Sequence, residues 1–191
     1  MVNGELLRVV VIIGSTRQGR FAPVVANWFA KYIQTRKEFV ADMIDLAEVA
    51  LPDVLSRSPE SAVEMLRGRL AVADAFVIIT PEYNHSFPAS LKTAIDWYSR
   101  EWHCRPVAFV AYGGNASGLR AVEQLRQVFA ELHAVTVRNS VGLSGAWELF
   151  DETGQLRNPE RHEKVAGTML DQLAWWGQAL KEGRSIRPYP A

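Results

Sequence analysis

Short runs of hydrophobic residues alternate with longer amphipathic stretches along most of the chain. Four of the runs are strongly apolar and rich in β-branched residues, and a fifth is weaker; they span residues 7–13, 39–44, 75–80, 106–112 and 134–141. Hydrophobic runs of this length that contain few polar residues are typical of strands that are buried on both faces of a sheet. The pattern therefore predicts five strands of a parallel sheet.

The stretches between these runs have the periodicity of helices. They span residues 22–35, 61–73, 89–100, 118–132 and 159–180, and in the fourth the apolar residues recur at helical spacing: Leu119, Val122, Leu125, Val128, Phe129 and Leu132. This alternation predicts a doubly wound α/β sandwich with helices on both faces of the sheet. We expect a single domain over residues 1–191, in which about residues 183–191 form a flexible tail because they contain little apolar surface.

Ligands of doubly wound folds bind beyond the carboxyl ends of the strands, where the strand order reverses. A strand order of 2-1-3-4-5 would place the first, third and fourth strands side by side. The segments that follow these strands have unusual sequences, "GSTRQGRF", "TPEYNHSFP" and "YGGNASG", whereas the segments after the second and fifth strands look ordinary. We therefore expect the three segments to line one crevice that holds a ligand.

The segment after the first strand has the composition of an anion-binding loop. Gly14 and Gly19 have the spacing of a nucleoside-triphosphate loop, but Arg20 and Phe21 stand where that motif requires Lys followed by Ser or Thr. ATP hydrolysis is therefore disfavoured. Hydroxyl and guanidinium groups at the start of a helix suit a terminal phosphate monoester, and the candidates are Ser15, Thr16, Arg17 and Arg20. Taken alone, the segment could also be a solvated turn with incidental arginines.

The segment after the third strand combines a stiff backbone with an aromatic ring. Two prolines, Pro81 and Pro88, restrict a loop that carries Glu82, Tyr83, Asn84 and His85. Backbone amides of such a loop can bind the edge of a planar heterocycle, while Tyr83 can stack on its face. His85 either contacts the substrate or only orders the loop.

These motifs resemble those of the flavodoxin-like NAD(P)H-dependent FMN reductases, a family that includes quinone, chromate and azo-dye reductases. The matching stretches are "GSTRQGR", "PEYNHSFPASLKTAIDW" and "YGGNASGLRA", in this order, and the resemblance extends over nearly the whole chain. It implies a flavodoxin-like five-stranded parallel sheet of order 2-1-3-4-5. It also implies a non-covalently bound FMN, with NADPH or NADH as the reductant.

The resemblance further implies which residues bind the FMN. The phosphate would be held by Ser15, Arg17 and Arg20, with the backbone of Phe21 and Ala22. Amides of the second segment would meet the O4 and N5 edge of the ring, over Pro81, Glu82, Tyr83 and Asn84. The third segment would approach the pyrimidine side of the ring through Gly113, Gly114 and Gly118, which have no Cβ. Many relatives have Ser and Asn where this chain has Arg20 and Pro23, so the individual phosphate ligands stay open.

The resemblance implies an enzyme that passes hydride from NAD(P)H, through flavin N5, to a quinone, a free flavin or another small acceptor. Because the chemistry belongs to the cofactor, no side chain is predicted to be catalytic. No metal is expected, because Cys104 beside His103 has no second pair of ligands nearby. A reductase that supplies reduced FMN to a monooxygenase is the enzymatic alternative, and an electron carrier or a flavin-binding sensor is the non-enzymatic one. The motifs distinguish neither NADPH from NADH nor one acceptor from another.

The composition limits which classes of partner the protein can bind and where in the cell it is expected. Lys+Arg and Asp+Glu number 21 each, so there is no basic excess for nucleic acid and no acidic excess of the kind that electron carriers use for docking. A single cysteine fits a reducing compartment, and no apolar run approaches the roughly 18 residues of a membrane span. We expect a cytoplasmic protein that binds neither nucleic acid nor membrane.

Two groups of aromatic residues are considered as candidates for an interface between copies of the chain. Trp97, Tyr98 and Trp102 lie at the end of the predicted third helix, where we expect them to project into solvent and form the interface of a homo-oligomer. Trp175 and Trp176, in the last helix, are expected to pack in the core or to cover the sheet. The resemblance favours the oligomer, because members of the family are commonly dimers or dimers of dimers. The alternative is a monomer in which the first group folds back into the protein.

Overall fold

The computed structural model describes residues 5–56, 58 and 60–190. Its strands are β1 (Leu7–Ile13), β2 (Phe39–Asp45), β3 (Ala75–Pro81), β4 (Pro106–Gly113), β5 (Val135–Thr136) and β6 (Val141–Ser144). Its helices are α1 (Ala22–Gln34), α2 (Ser61–Ala71), α3 (Ala89–Asp96), α4 (Leu119–Glu131), α5 (Ala146–Leu149) and α6 (Pro159–Ile186). Strands and helices alternate from β1 to β5, as the hydrophobic pattern predicts.

The strands form one parallel sheet in the order β2-β1-β3-β4-β5, and β6 also pairs with β4. β1 is paired on both sides, so that Val11 lies opposite Met43 of β2 and Val77 of β3. Because the order reverses at β1, the carboxyl ends of β1, β3 and β4 are neighbours. The predicted flavodoxin-like order is confirmed.

Helices cover both faces of the sheet. Successive side chains of a strand point to opposite faces. Val9 and Val11 accordingly lie in a hydrophobic cluster with residues of α1 and α6, whereas Val10 and Ile12 lie in a cluster with residues of α2, α3 and α4. All four are buried, which explains why the strand shows no polar alternation in the sequence.

The last predicted strand is interrupted. The hydrophobic pattern predicts one strand over residues 134–141, but β5 and β6 pair separately with β4. Thr136 lies opposite Val107 and Val141 lies opposite Val110, so two extra residues bulge out between the paired segments. Side chains hold the backbone of this bulge: for example, the Arg126 guanidinium donates to the carbonyl oxygens of residues 137 and 138 at 2.7 and 2.9 Å.

The third helix is shorter than predicted, and its end determines where the following aromatic residues lie. α3 ends at Asp96 rather than at residue 100. Trp97, Tyr98 and Trp102 are only 8%, 2% and 1% exposed. The ring of Trp102 packs 4.6 Å from that of Phe76. The prediction that these three side chains project into solvent is wrong, and they are not available for an interface between subunits.

The aromatic pair of the last helix was expected to be covered, but it is exposed. Trp175 and Trp176 are 65% and 36% exposed, and neither belongs to the hydrophobic clusters on the two faces of the sheet. The prediction that they pack in the core or cover the sheet is also wrong. α6 continues to Ile186, six residues beyond its predicted end, so the first part of the predicted tail is helical. Beyond the helix, the Tyr189 hydroxyl lies 2.9 Å from Nδ1 of His133. Position 191 of the predicted tail lies outside the described residues, and the flexibility of the tail stays a prediction.

Candidate active site

Three loops meet at the carboxyl edge of the sheet, as the sequence predicts. They are the first loop (residues 14–21, after β1), the hairpin (residues 83–86, after β3) and the third loop (residues 113–118, after β4). The Gly14 amide donates to the Ile79 carbonyl at 2.9 Å, which holds the start of the first loop against β3. The Glu82 amide donates to the Tyr112 carbonyl at 3.1 Å, which joins the hairpin to β4.

Ser15 links the first loop to the hairpin. Its side chain is fully buried, and its Oγ lies 2.8 Å from the hydroxyl oxygen of Tyr83. Thr16 and Arg17, in contrast, are exposed. Of the two hydroxyl groups predicted to bind phosphate, the Ser15 hydroxyl already has a partner within the protein.

Arg20 is also engaged within the protein. Its guanidinium donates to both carboxylate oxygens of Asp45, with 2.6 Å between Nη2 and Oδ2, and to the Ser15 carbonyl at 2.6 Å. The hydrogen bond to Asp45 raises the pKa of Arg20, although partial burial opposes this. Among the described residues Arg17 forms no such ion pair, so it carries the free positive charge of the first loop.

The start of α1 has the donors that a phosphate requires. Within residues 5–56, 58 and 60–190, the backbone N–H groups of Thr16, Arg17, Phe21 and Ala22 donate to no protein atom. A helix N-terminus also carries a partial positive charge, and no acidic side chain stands in the first turn of α1 to offset it. Free amides, the helix terminus and the Arg17 cation together fit the phosphate of FMN.

The hairpin is a tight two-residue turn. Tyr83 and Ser86 exchange backbone hydrogen bonds of 2.8 and 3.0 Å. Asn84 and His85 between them have φ angles of 48° and 71°, a left-handed conformation that Asn and His adopt more readily than most residues. His85 therefore shapes the turn, and its side chain is exposed.

The hairpin changes which amides can meet a ligand. The resemblance to the FMN reductases implies hydrogen bonds from the backbone of residues 81–84 to the edge of the ring. Pro81 has no N–H, and the amides of Glu82 and Tyr83 are bonded to Tyr112 and Ser86. Within this segment of the described chain, only the Asn84 amide is without a protein acceptor.

Residues of α4 brace the hairpin from the other side. The Glu82 carboxylate accepts hydrogen bonds from the Arg120 backbone N–H at 3.2 Å and from its Nη1 at 3.1 Å. Gln124 donates from Nε2 to the His85 carbonyl at 2.9 Å and accepts from the Ser86 hydroxyl at 2.5 Å. Glu82 therefore caps the N-terminus of α4.

Asp45, Arg120 and Gln124 are absent from the predicted site, yet each positions a predicted loop. The sequence offered one signal for Asp45, since it ends a strand whose carboxyl edge borders the first loop. For Arg120 and Gln124 the signal was weaker, because polar residues in the first turns of a helix are usually solvated.

The glycines of the third loop have different roles. Gly118 has a φ of 78°, and a Cβ added there would lie 2.7 Å from Cβ of Ala111 and from the Tyr112 nitrogen. Atoms of β4 thus occupy the space that a side chain at position 118 would need. A Cβ on Gly113 would lie 3.3 Å from the Gly118 nitrogen, whereas one on Gly114 would meet nothing within 4 Å. Of the three glycines predicted to approach the ring, Gly114 is the one with open space beside it.

The cavities agree only partly with the predicted site. A cavity of about 170 Å³ lies beside Thr16 and is also lined by Leu51 and Ser90. A larger cavity of about 520 Å³ is lined by Trp28, Tyr32 and neighbouring residues, and it includes none of the predicted cofactor-binding residues. We assign the site to the three loops, because free donors and a free cation converge there.

The fold is flavodoxin-like. The flavoenzyme NAD(P)H:(acceptor) oxidoreductase FerB from Paracoccus denitrificans superposes with a TM-score of 0.76 at 22% identity, over 91% of this chain and 98% of that protein. The family model for NADPH-dependent FMN reductase matches residues 7–148. The chain belongs to this family. The predictions of an oxidoreductase, of FMN as cofactor and of a nicotinamide nucleotide as reductant are confirmed.

Individual relatives agree with this family. The chain is 34% identical to the quinone reductase of Escherichia coli K12 over 191 residues, which cover 96% of this chain and 97% of that protein. It is 31% identical over 134 residues to an NAD(P)H-dependent FMN reductase of Schizosaccharomyces pombe, and this match covers 63% of this chain and 64% of the yeast protein. None of the described helices is long and apolar enough to cross a membrane.

Proposed function

We propose that the chain transfers hydride equivalents from NADH or NADPH to a quinone or another small acceptor at the site formed by the three loops. The observation that carries the proposal is the convergence of free amides and the free Arg17 cation on the first loop, beside a hairpin that is braced on both sides. The Escherichia coli relative, named a quinone reductase, supports a quinone as acceptor. When bound, FMN supplies the ring that takes up hydride and passes it on.

On this proposal, Arg17 and the amides at the start of α1 bind the phosphate. Arg20 acts indirectly, because its guanidinium is shared between Asp45 and the Ser15 carbonyl and fixes the path of the first loop. Ser15 likewise acts through Tyr83. The positive end of α1 adds to the attraction for a dianionic group.

At the ring, the chain's own groups orient the cofactor and limit access of water. Tyr83 is held by Ser15, so its ring has a fixed orientation at the mouth of the site. The Asn84 amide is the donor that the hairpin offers, and Gly114 leaves room for close approach on the other side. The pair of Glu82 and Arg120 holds the hairpin and α4 at a constant separation.

The chain has no separate dinucleotide motif, so reductant and acceptor should occupy the same place in turn. Steady-state oxidation of NADH and of NADPH, with several quinones, should therefore give parallel lines in double-reciprocal plots. Intersecting lines together with a ternary complex would contradict the shared site. An absence of turnover with every acceptor would contradict the proposed reaction itself.

Release of reduced FMN to a second enzyme is a second candidate, favoured by the exposure of the first loop over residues 16–19. Gel filtration of the FMN-loaded protein separates the candidates, because a cofactor that remains bound excludes its role as a released product. We also propose a cytoplasmic homo-oligomer. The three aromatic residues after α3 are buried, so they no longer support the oligomer.

A further inference from the structure

Two large apolar side chains are exposed at the border of the third loop. Leu119 directly follows this loop and is 45% exposed, and its amide donates to the Ala116 carbonyl at 2.9 Å. Trp147 lies on α5 and is 59% exposed. Neither side chain takes part in the proposed binding of FMN. Because ligand sites are lined mainly by hydrophobic and aromatic side chains, both are candidates for contact with a substrate.

Hydrogen bonds hold the start of α5 against the third loop. Within the loop, the Gly114 carbonyl accepts from the Ser117 amide at 3.0 Å. The same carbonyl accepts from the Ser144 hydroxyl at 3.3 Å and from the amide of Gly145, the residue before α5, at 3.4 Å. Gly114 is also the glycine with open space beside it. α5 therefore begins at the part of the loop that is proposed to approach the ring.

The two exposed side chains are connected by β6. A Cβ on Gly142 would lie 3.2 Å from Cδ2 of Leu119, so the Leu119 side chain lies over β6, the strand that leads into α5. On α5 itself, Ala146 is buried and Leu149 packs against a hydrophobic cluster, which leaves Trp147 on the exposed side. Leu119 and Trp147 therefore border one short stretch of chain beside the third loop.

A negative charge accompanies this apolar border. Glu148 follows Trp147, is exposed and forms no ion pair among the described residues. Its carboxylate lies beside the start of α5, because a Cβ on Gly145 would be 3.7 Å from Oε2 of Glu148. An unpaired carboxylate repels an anionic group that approaches it, whereas it has little effect on an uncharged one. The border therefore favours uncharged, apolar groups over anionic ones.

We propose that Trp147 and Leu119 select quinones that carry an uncharged hydrocarbon side chain, and that Glu148 disfavours quinones with an anionic substituent. Both apolar residues come after Gly114, where the ring is proposed to lie, so a substrate reaches them through a substituent on its ring. Hydrogen bonds to the third loop already hold α5, so the contact requires little ordering of the protein. The inference rests on the proposed function, because it specifies the acceptor of that reaction.

Equilibrium dialysis of the FMN-loaded protein, without a nicotinamide nucleotide, tests the proposal with a methyl-substituted and a decyl-substituted benzoquinone. The wild type should bind the decyl compound about tenfold more tightly, the effect of removing about two methylene groups from water. Trp147→Ala should lose most of this preference without changing the dissociation constants of the methyl compound and of FMN, and Trp147→Phe should keep it. Trp175→Ala is the matched control, because Trp175 is 65% exposed on α6, outside the three loops.

A sulfonated naphthoquinone tests the role of the charge. Glu148→Gln should tighten its binding by about threefold, the scale of an exposed charge interaction, and should leave the methyl compound unaffected. Equal binding of the methyl and decyl compounds by the wild type, or a preference that survives in Trp147→Ala, would overturn the selection by side chain even if both quinones are reduced. An unchanged affinity of Glu148→Gln for the sulfonated compound would overturn the role of Glu148. Absence of turnover with both benzoquinones would instead overturn the proposed function, and this inference with it.

Discussion

The hydroxyl oxygens of Ser15 and Tyr83 lie 2.8 Å apart, and this contact joins the first loop to the hairpin. Sequence reasoning assigns the two residues to different parts of the cofactor, one to the phosphate and the other to the ring. In the folded chain they belong to one hydrogen-bonded unit. A substitution of either residue should therefore alter both the phosphate end and the ring end of the site.

This contact predicts an energetic coupling between the two residues. Ser15→Ala, Tyr83→Phe and the double variant should show a coupling free energy of about 0.5–1.5 kcal/mol in urea unfolding of the FMN-free protein, the usual net value of a hydrogen bond. Tyr98→Phe paired with Ser15→Ala is the control cycle, because the Tyr98 hydroxyl bonds to Val63 instead. Additive effects of the first pair would show that the contact contributes nothing.

The two arginines of the first loop should respond differently to truncation. Arg17→Ala should weaken FMN binding by roughly 1.5–3 kcal/mol, the range for a charged hydrogen bond, without lowering the stability of the FMN-free protein. Riboflavin lacks the phosphate, so its dissociation constant should not change. Fluorescence titration with both flavins measures the difference, and Arg161→Ala, at another exposed arginine, is the control.

Arg20→Ala should instead destabilise the FMN-free protein by roughly 1–3 kcal/mol, because it leaves the largely buried Asp45 carboxylate without its partner. Asp45→Asn should reproduce much of this loss. Urea unfolding measures both variants. If Arg20→Ala proved as stable as the wild type and bound FMN as weakly as Arg17→Ala, the assignment of Arg20 to loop positioning would be wrong.

Alanine substitutions at Gly118 and Gly114 should have different effects on stability. Gly118→Ala should lower the free energy of unfolding by about 2–4 kcal/mol, because it combines a left-handed backbone with a Cβ placed 2.7 Å from β4. Gly114→Ala should cost less than about 1 kcal/mol, since its Cβ meets nothing within 4 Å. Chemical denaturation of both variants checks the contrast, and equal losses would contradict it.

The stability of the protein should fall in mildly acidic solution because of His103. Partial burial lowers the pKa of His103, and the nearby His133, Arg100 and Arg105 lower it further, while Glu101 opposes them. The folded state therefore favours neutral His103. Its contribution to stability is present above the unfolded-state pKa of about 6.5 and is lost as the pH falls through the lower folded-state value.

His103→Gln should reduce the dependence of the unfolding free energy on pH between about 7.5 and 5, the range around an ordinary histidine pKa. The control is His85→Gln, because His85 is exposed in the hairpin. Unfolding curves collected across this range decide the matter. A pH profile of His103→Gln that coincides with that of the wild type would refute the prediction.

The order of the sheet and the three loops at its edge could be predicted because each rests on local sequence. Buried parallel strands require continuous apolar runs, and ligands collect where the strand order reverses. The partners of the loop residues could not be predicted in this way. Arg20 and Asp45 are 25 residues apart and meet only when β2 pairs with β1.

The aromatic residues show a second limit of sequence reasoning. Trp97 directly follows α3 and Trp175 lies within α6, and each stands next to a second aromatic residue, yet the first is buried and the second exposed. The difference depends on where α3 stops, because the turn after Asp96 directs Trp97 inward, and its indole donates to the Pro52 carbonyl at 2.9 Å. Hydrophobicity alone contains no information about such a turn.

The bulge between β5 and β6 has a consequence for how copies of the chain can meet. An open sheet edge with free N–H and C=O groups is a template for uncontrolled strand addition and aggregation. Here the Asn139 N–H donates to Gln172 of α6 at 2.9 Å. The Arg126 guanidinium donates to the carbonyl oxygens of the two preceding residues, 137 and 138. These three backbone groups are therefore already bonded within the protein. An added strand would find no free partner in these three groups, so strand addition is hindered at this point of the edge.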